Sequence, residues 1–198
     1  MAQKKATEIR QDEIVTAALA LVEQNGLDHV NIANIAAAIH LVPSAIYRHF
    51  TGKEEIIAGL IDFVNKALQD NVSYAMQTET KAFGRLKLLL DLHIQLFKKQ
   101  RAIPRILFTL ISSDKETVLK SKMLTVIASY LDKVEFIISQ GCINGEFDYI
   151  DAKAGSLMFL GMVQPLAIMA QLEEDAFDKY PEKLWEIYLH GINHRKTE

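Results

Sequence analysis

The stretch that decides the fold is Ile46-Tyr47-Arg48-His49-Phe50-Thr51-Gly52-Lys53-Glu54. It reads as the end of a short helix with an aromatic pair, a tight turn, and a lysine opening a new helix. Thr51 and Glu54 stand at capping-box spacing, which predicts that the new helix begins at Thr51. The first turn of a helix carries backbone N–H groups without intrahelical partners, and its dipole favours negative charge. With Lys53 in that turn the segment is predicted to hold an anion. Tyr47 adds a hydroxyl donor, and Arg48 and His49 add basic ones. This chemistry suits a DNA backbone.

Outward from that stretch, the preceding residues read as three helices. From Thr7 to about Gln24 the residues Ile14, Ala17, Ala18, Leu21 and Val22 recur at the spacing of an amphipathic helix. Asn25-Gly26 ends it, with Gly26 suited to a left-handed position. Asn31 is expected to cap a second helix through Ala38 with Ile32, Ile35, Ala36 and Ile39 inward. A turn at His40-Leu41 leads to Pro43, the expected first residue of a third helix ending at His49. Two short helices joined by a tight turn form the helix-turn-helix pattern, whose second helix enters the major groove.

The residues Arg10, Ile14, Ala17-Ala18, Gly26-Leu27, Val30-Asn31-Ile32, Ile35-Ala36, Leu41, Ile46-Tyr47-Arg48-His49-Phe50 and Lys53-Glu54 carry a family resemblance. Over roughly residues 8–58 the chain resembles the N-terminal domain of the tetracycline-repressor (TetR/AcrR) family. Gly145-Glu146-Phe147, followed by an apolar helix, is also similar to many members. The resemblance implies a homodimeric one-component repressor that binds a double-stranded palindromic operator and releases it when a small-molecule effector enters the C-terminal domain. It implies a recognition helix at Pro43–His49, with Ser44, Ala45 and Arg48 nearest the base edges. Tyr47, His49 and Lys53 are then expected on phosphates, and Asn31 and Pro43 complete the DNA-binding set. Three positions depart from the family pattern. His40 stands where the turn usually has Gly, so a positive φ there costs roughly 1–3 kcal/mol. Val42 replaces a common Ser and removes a side-chain cap, and Asn31 replaces a common Thr while keeping a capping oxygen.

Composition is compatible with this reading. The 198 residues suffice for a small domain joined to a larger one, and 49% of them are hydrophobic, too many for disorder. The polar, charged start from Met1 to Gln11 shows no secretory signal, and the single Cys142 fits a reducing compartment, so a cytoplasmic location is expected. The net charge of −3 is low for a DNA binder. Within residues 1–53, however, Lys4, Lys5, Arg10, Arg48 and Lys53 balance Glu8, Asp12, Glu13, Glu23 and Asp28. The basic groups cluster around the third helix, with Lys4 and Lys5 on an expected mobile arm. Only a few phosphates per half-site need neutralising, so this placement outweighs the total.

From Lys53 onward the pattern is helical, giving an all-α fold: a three-helix DNA-binding domain over 1–53 and a helical ligand-binding and dimerisation domain over 54–198. Helices are expected at Glu54–Gln77, Phe83–Lys99, Arg105–Ser112, Lys115–Gln140, Asp151–Leu172 and Asp178–His194. The segment Ala154–Ala170 has no charge but is short for a membrane span and carries Ser156, Gln164 and Pro165, so no membrane partner is expected. A helix apolar on nearly all faces is buried on both sides. Together with the last helix it reads as half of an intersubunit four-helix bundle, with Leu160, Val163, Leu184, Ile187 and Tyr188 at the dimer interface.

Candidate effector contacts are polar, aromatic or thioether groups within apolar helices: His93, Gln95, Phe97, Phe108, Tyr130, Met158, Met162 and Gln164. Each also reads as ordinary core packing. The aromatic and methionine content suits a largely apolar effector. There is no Gly-rich phosphate loop, zinc-type Cys/His spacing or nucleophile elbow, so neither an enzyme nor a cofactor is expected. His190 and His194 stand at i, i+4 without a third ligand, so no metal is expected. The alternative to an effector-controlled regulator is a DNA-binding adaptor or nucleoid-organising protein that needs no effector.

Overall fold

The computed structural model describes residues 2–114, 117–148, 150–170 and 172–192, with side chains from residue 7 onward except that of Glu8. Every element among them is helical: α1 (Ala2–Asn25), a 3-10 turn (Leu27–His29), α2 (Ile32–Ala38), α3 (Pro43–Ile46), α4 (Lys53–Thr78), α5 (Ala82–Lys99), α6 (Ala102–Ile111), α7 (Val118–Ile143), α8 (Ala152–Met169), α9 (Ala176–Lys179) and α10 (Pro181–Ile192). The chain forms two compact units, Met1–Lys66 with Gln100–Val126, and Ala67–Lys99 with Ile127–Glu198. It passes from one to the other within α4, between α5 and α6, and within α7.

The first unit is built on the apolar stripe of α1, where Ile14, Ala18 and Val22 are fully buried and Ala17 nearly so. Ile35 and Ala36 of α2, Ile46 of α3, and Ile56, Leu60 and Ile61 of α4 complete this core. α6 belongs to it as well, packing on α1 and on the 3-10 turn with Ala102, Ile103 and Ile106 buried. Pro104 does not delay that helix to Arg105 as expected, because its missing N–H falls in the first turn, where no intrahelical partner exists.

Several other boundaries differ from expectation. α1 starts at Ala2, so Lys4 and Lys5 lie on its backbone helix and not on an arm. Gly26 has the expected positive φ of 84°, but its ψ of 169° lies outside the left-handed helical well, in a region open essentially to glycine alone. The last expected helix is broken. A single-turn α9 ends at Lys179, and Pro181 opens α10, the position for which its fixed φ is suited. His194 lies outside the described residues.

α7 continues through Gly141 to Ile143 and closes on a Schellman turn. The Glu146 N–H donates to the Gly141 carbonyl at 2.8 Å, the Gly145 N–H to the Cys142 carbonyl at 3.2 Å, and Gly145 takes φ 71°. A side chain at Gly141 would collide with the Phe147 ring, so the glycine lets that ring lie against the helix.

In the second unit α8 packs on α5, α9 and α10, and Tyr188 on α10 is buried between Phe159 and Trp185 with its hydroxyl donating to the Gly155 carbonyl at 3.1 Å. α8 is long and apolar enough to cross a membrane by length and composition. Its Phe159, Val163 and Leu166 are nevertheless buried in this unit's own core.

Candidate nucleic-acid interface

The helix-turn-helix is assembled by local hydrogen bonds. Asn31 caps α2, its Oδ1 accepting from the Asn34 N–H at 2.8 Å, as its side chain predicts. The Asn34 amide then donates to the His29 carbonyl at 2.9 Å, tying α2 to the 3-10 turn. This engages Asn31 in capping.

α2 ends in a second Schellman turn. The Leu41 N–H donates to the Ala36 carbonyl at 2.8 Å and the His40 N–H to the Ala37 carbonyl at 3.3 Å. That turn requires a left-handed residue, and His40 supplies it with φ 54°. Val42 then precedes α3 without a side-chain cap, as expected.

α3 is shorter than predicted, spanning Pro43–Ile46. Tyr47, Arg48 and His49 sit in the turn that follows, which closes where the His49 and Phe50 N–H groups both donate to the Ile46 carbonyl. Ile46 and Phe50 anchor this turn in the core. Pro43, Ser44, Tyr47 and Arg48 are consequently exposed, Tyr47 to 57%, while Ala45 and His49 are half-buried. The Gln11 amide donates to the His49 carbonyl at 3.4 Å, and His49 Nδ1 is buried without a partner among the described residues.

The start of α4 is a correction. The helix begins at Lys53, and the carboxylate that reaches back is that of Glu55, not Glu54. It accepts from both the backbone N–H and, at 2.7 Å, the hydroxyl of Thr51. These two donors, the backbone one foremost, hold the Glu55 carboxyl below its ordinary pKa. The Gly52 carbonyl accepts the first intrahelical bond, from Ile56. The sequence signal that finds Glu55 is its position as third helical residue once Gly52 is taken as the cap. Lys53 stands in the first turn and its ammonium donates to the Asp28 carbonyl at 3.1 Å, which keeps a cation beside the α4 terminus. Exposed hydroxyl and guanidinium donors and the half-buried Lys53 ammonium thus lie along one short segment, Ser44 to Lys53.

Residues 14–60 match the family profile of bacterial regulatory proteins of the tetR family. Over these residues the chain carries a tetR-family domain. Its N-terminal region is that family's DNA-binding domain, and its all-helical fold is shared by TetR-family regulators of known structure. Among curated relatives, the nucleoid occlusion factor SlmA of Pectobacterium carotovorum is 30% identical over 109 residues, which are 54% of this chain and 55% of the relative. The chain therefore spans about half the length of the curated relatives it matches. The transcriptional regulator FadR from Bacillus subtilis, solved in complex with stearoyl-CoA, superposes with a TM-score of 0.74 at 19% identity, covering 91% of this chain and 98% of that one. AibR, solved with isovaleryl coenzyme A and operator DNA, gives 0.73 at 19% identity, covering 93% and 98%. At such identities the likeness establishes the fold.

The other sequence-predicted residues are dispersed. In the second unit His93 and Tyr130 meet, with His93 Nδ1 3.1 Å from the Tyr130 hydroxyl, and Phe97 stands edge-on to the imidazole at 4.8 Å between centroids. Burial pushes the His93 pKa down to about 4 and the Tyr130 phenol up. Met162 is buried and Gln164 half-buried in the same unit, whereas Phe108 lies on α6 in the first unit, 38% exposed. Open clefts of about 640, 570, 420 and 410 Å³ on the described surface are lined by other side chains. Of the residues predicted for the dimer interface, Val163 and Tyr188 are buried in their own unit, Leu160 and Leu184 are half-buried, and Ile187 is 67% exposed. Among the described residues no group of three or more His, Cys, Asp or Glu could hold a metal.

Proposed function

We propose that this protein is a cytoplasmic TetR-family repressor that binds a palindromic DNA operator as a homodimer and is released by a small, largely apolar effector. The observation that carries the reading is the exposed edge Ser44–Tyr47–Arg48 standing in sequence next to the Lys53 turn, on a helix-turn-helix anchored by Ile46 and Phe50. Ser44, Ala45 and Arg48 are assigned to base edges, and Tyr47, His49 and Lys53 to phosphates. In this reading residues 1–53 read DNA and residues 54–198 regulate.

Dimerisation is supported by α8. Ala154, Met158, Gly161, Pro165 and Ile168 recur at alternating four- and three-residue spacing, the repeat of a helix seam, and all are exposed in the single chain. Nothing lies within 4 Å of a side chain built at Gly161, which leaves room for another backbone to approach. Ile187 on α10 adds an exposed apolar group. Two copies of these helices give the four-helix bundle that would cover both faces.

The effector reading is supported by the apolar interior of the second unit, where His93, Ser156 and the hydroxyls of Tyr130 and Tyr188 are buried polar groups and all are uncharged. A ligand body entering there would meet no buried charge. Lodged against α4, α5 and α7, it would tilt α4 and change the separation of the two recognition helices. Regulation, not catalysis, is the proposed role, as for the family.

The test is selection of operator from random duplexes by the purified protein, followed by titration with stearoyl-CoA and isovaleryl-CoA, the ligands held by FadR and AibR. A selected palindrome whose binding weakens with either compound supports the reading. Binding without sequence preference, unchanged by acyl-CoA, favours a second reading: a nucleoid-organising protein without effector. The 30% identity to SlmA supports that alternative.

A further inference from the structure

We infer that Arg105 and Lys122 are positioning residues for DNA recognition, fixing the angle of the DNA-reading helices through α6 and the start of α7. The inference rests on the palindrome-binding reading above. Residues 100–126 belong to the same compact unit as the helix-turn-helix, although more than 40 residues separate them from Lys53 in sequence. Two long cations make that attachment directional. The Arg105 guanidinium on α6 donates to the Glu23 carbonyl at 2.8 Å, one of the last carbonyls of α1, which have no intrahelical partner. A cation there also meets the negative end of the helix dipole. The Lys122 ammonium on α7 donates to the Ala58 carbonyl of α4 at 3.2 Å and pairs with Asp62 at 2.7 Å.

These contacts are partly exposed, so they add little stability. Their effect is to set geometry. Arg105 fixes where the end of α1 sits on α6, and Lys122 fixes the first three turns of α4, at Ala58 and Asp62, on α7. The apolar side of α6, with Ile103 and Ile106 buried, allows sliding that hydrogen bonds at defined carbonyls forbid. Since α7 runs on past Val126 into the second unit, Lys122 stands on an element shared by both.

A dimer accepts one palindrome only if its two recognition helices hold a fixed separation. Removing the two donors is therefore expected to relax discrimination between half-site spacings while leaving each half-site contact intact. The experiment uses the full-length protein and the duplex that wild type selects, together with versions lengthened by one or two base pairs at the centre and a duplex carrying a single half-site. In Arg105→Ala, Lys122→Ala and the double variant, the preference for native over lengthened spacing should shrink by about fivefold or more. Single-half-site affinity should stay at the wild-type value, and Arg105→Lys, which keeps a donor, should recover much of the preference. Unchanged spacing preference in the double variant overturns the inference. So does a fall in half-site affinity equal to the fall on the full operator, which would make these residues direct DNA contacts or supports of the fold. If wild type selects no two-half-site sequence, the operator reading itself fails, and this is seen before any variant is made.

Discussion

In the N-terminal unit Ser44, Tyr47 and Arg48 stand in solvent, whereas in the C-terminal unit His93, Phe97 and Tyr130 are closed inside the core. Tyr47 is 57% exposed and Tyr130 1%. Both belong to helical segments, yet Tyr47 follows a helix of one turn whose anchors, Ile46 and Phe50, lie on its other side. Tyr130 lies on a long helix between buried Val126 and Val134, so every group on that face goes inward. A polar side chain on a short anchored helix is thus available to a partner, while one on a buried stripe is there to be satisfied. His93 and Tyr130 satisfy each other.

The largest expected effects separate neighbours on α10. Tyr188→Ala empties a buried site between Phe159 and Trp185 and removes the hydrogen bond to the Gly155 carbonyl, so it should cost about 3–5 kcal/mol and unfold the protomer. Ile187→Asp changes an exposed position of the single chain. In the proposed bundle it buries an unpaired charge, at a cost of several kcal/mol to association alone. Sedimentation should show a folded monomer for Ile187→Asp and an unfolded or aggregated chain for Tyr188→Ala. A folded dimer in the Ile187 variant would move the interface elsewhere.

The next effect is in the pH dependence of the second unit. Burial holds the His93 pKa near 4, below its ordinary 6.5, so the folded protein keeps this imidazole neutral while the unfolded chain protonates it. The associated stability is fully present above pH 6.5 and is lost as the pH falls toward 4, by up to about 3 kcal/mol. Denaturant unfolding across that range should show the loss, and His93→Phe should flatten it. An unaltered slope in the variant would mean that His93 reaches water in solution.

What can be read from sequence follows the same division. The cap at Asn31, the strained turn at His40 and the absent cap at Val42 are local, set by residues within a few positions, and each appears as expected. The box at Thr51 is off by one because Glu54 and Glu55 are both acidic, and only the position of Gly52 as cap selects Glu55. The break before Pro181 is carried by the proline alone, and the apolar pattern running on through α10 hides it. The faces of α8 and α10 are not legible, since both helices are apolar beyond one stripe and sequence does not say which side meets the protomer's own core. That is why Val163 and Tyr188, expected at the interface, lie inward. Arg105 and Lys122 give no signal at all, because their acceptors include backbone carbonyls far away in sequence.

A smaller effect belongs to the head. If Lys53 neutralises one phosphate per half-site, Lys53→Ala should weaken binding about tenfold on every sequence and reduce the salt slope by about one for each phosphate no longer neutralised. Arg48→Ala should instead change which sequences are preferred. Lys53 also holds the Asp28 carbonyl, so Lys53→Arg serves as a control that keeps a donor there. Equal affinity for wild type and Lys53→Ala across salt concentrations would remove this residue from the interface.

The smallest effect compares one turn in each unit. α2 and α7 end in the same Schellman hydrogen bonds, and each places one residue in the left-handed region, His40 at φ 54° and Gly145 at φ 71°. Gly145 has open space where a Cβ would be, so only its backbone conformation resists substitution. His40 is exposed, so its imidazole has little packing to lose. His40→Gly should therefore relieve strain of about 1–3 kcal/mol, offset in part by about 0.5–1 kcal/mol of extra unfolded-state entropy, for a net gain near 1 kcal/mol. Gly145→Ala should lose a similar amount by the same physics reversed. If the strain at His40 serves to set the angle of α3, His40→Gly should gain stability while losing operator affinity, because the turn is freed. If both rise together, the histidine is simply tolerated. Thermal unfolding read beside operator titration for His40→Gly separates these outcomes.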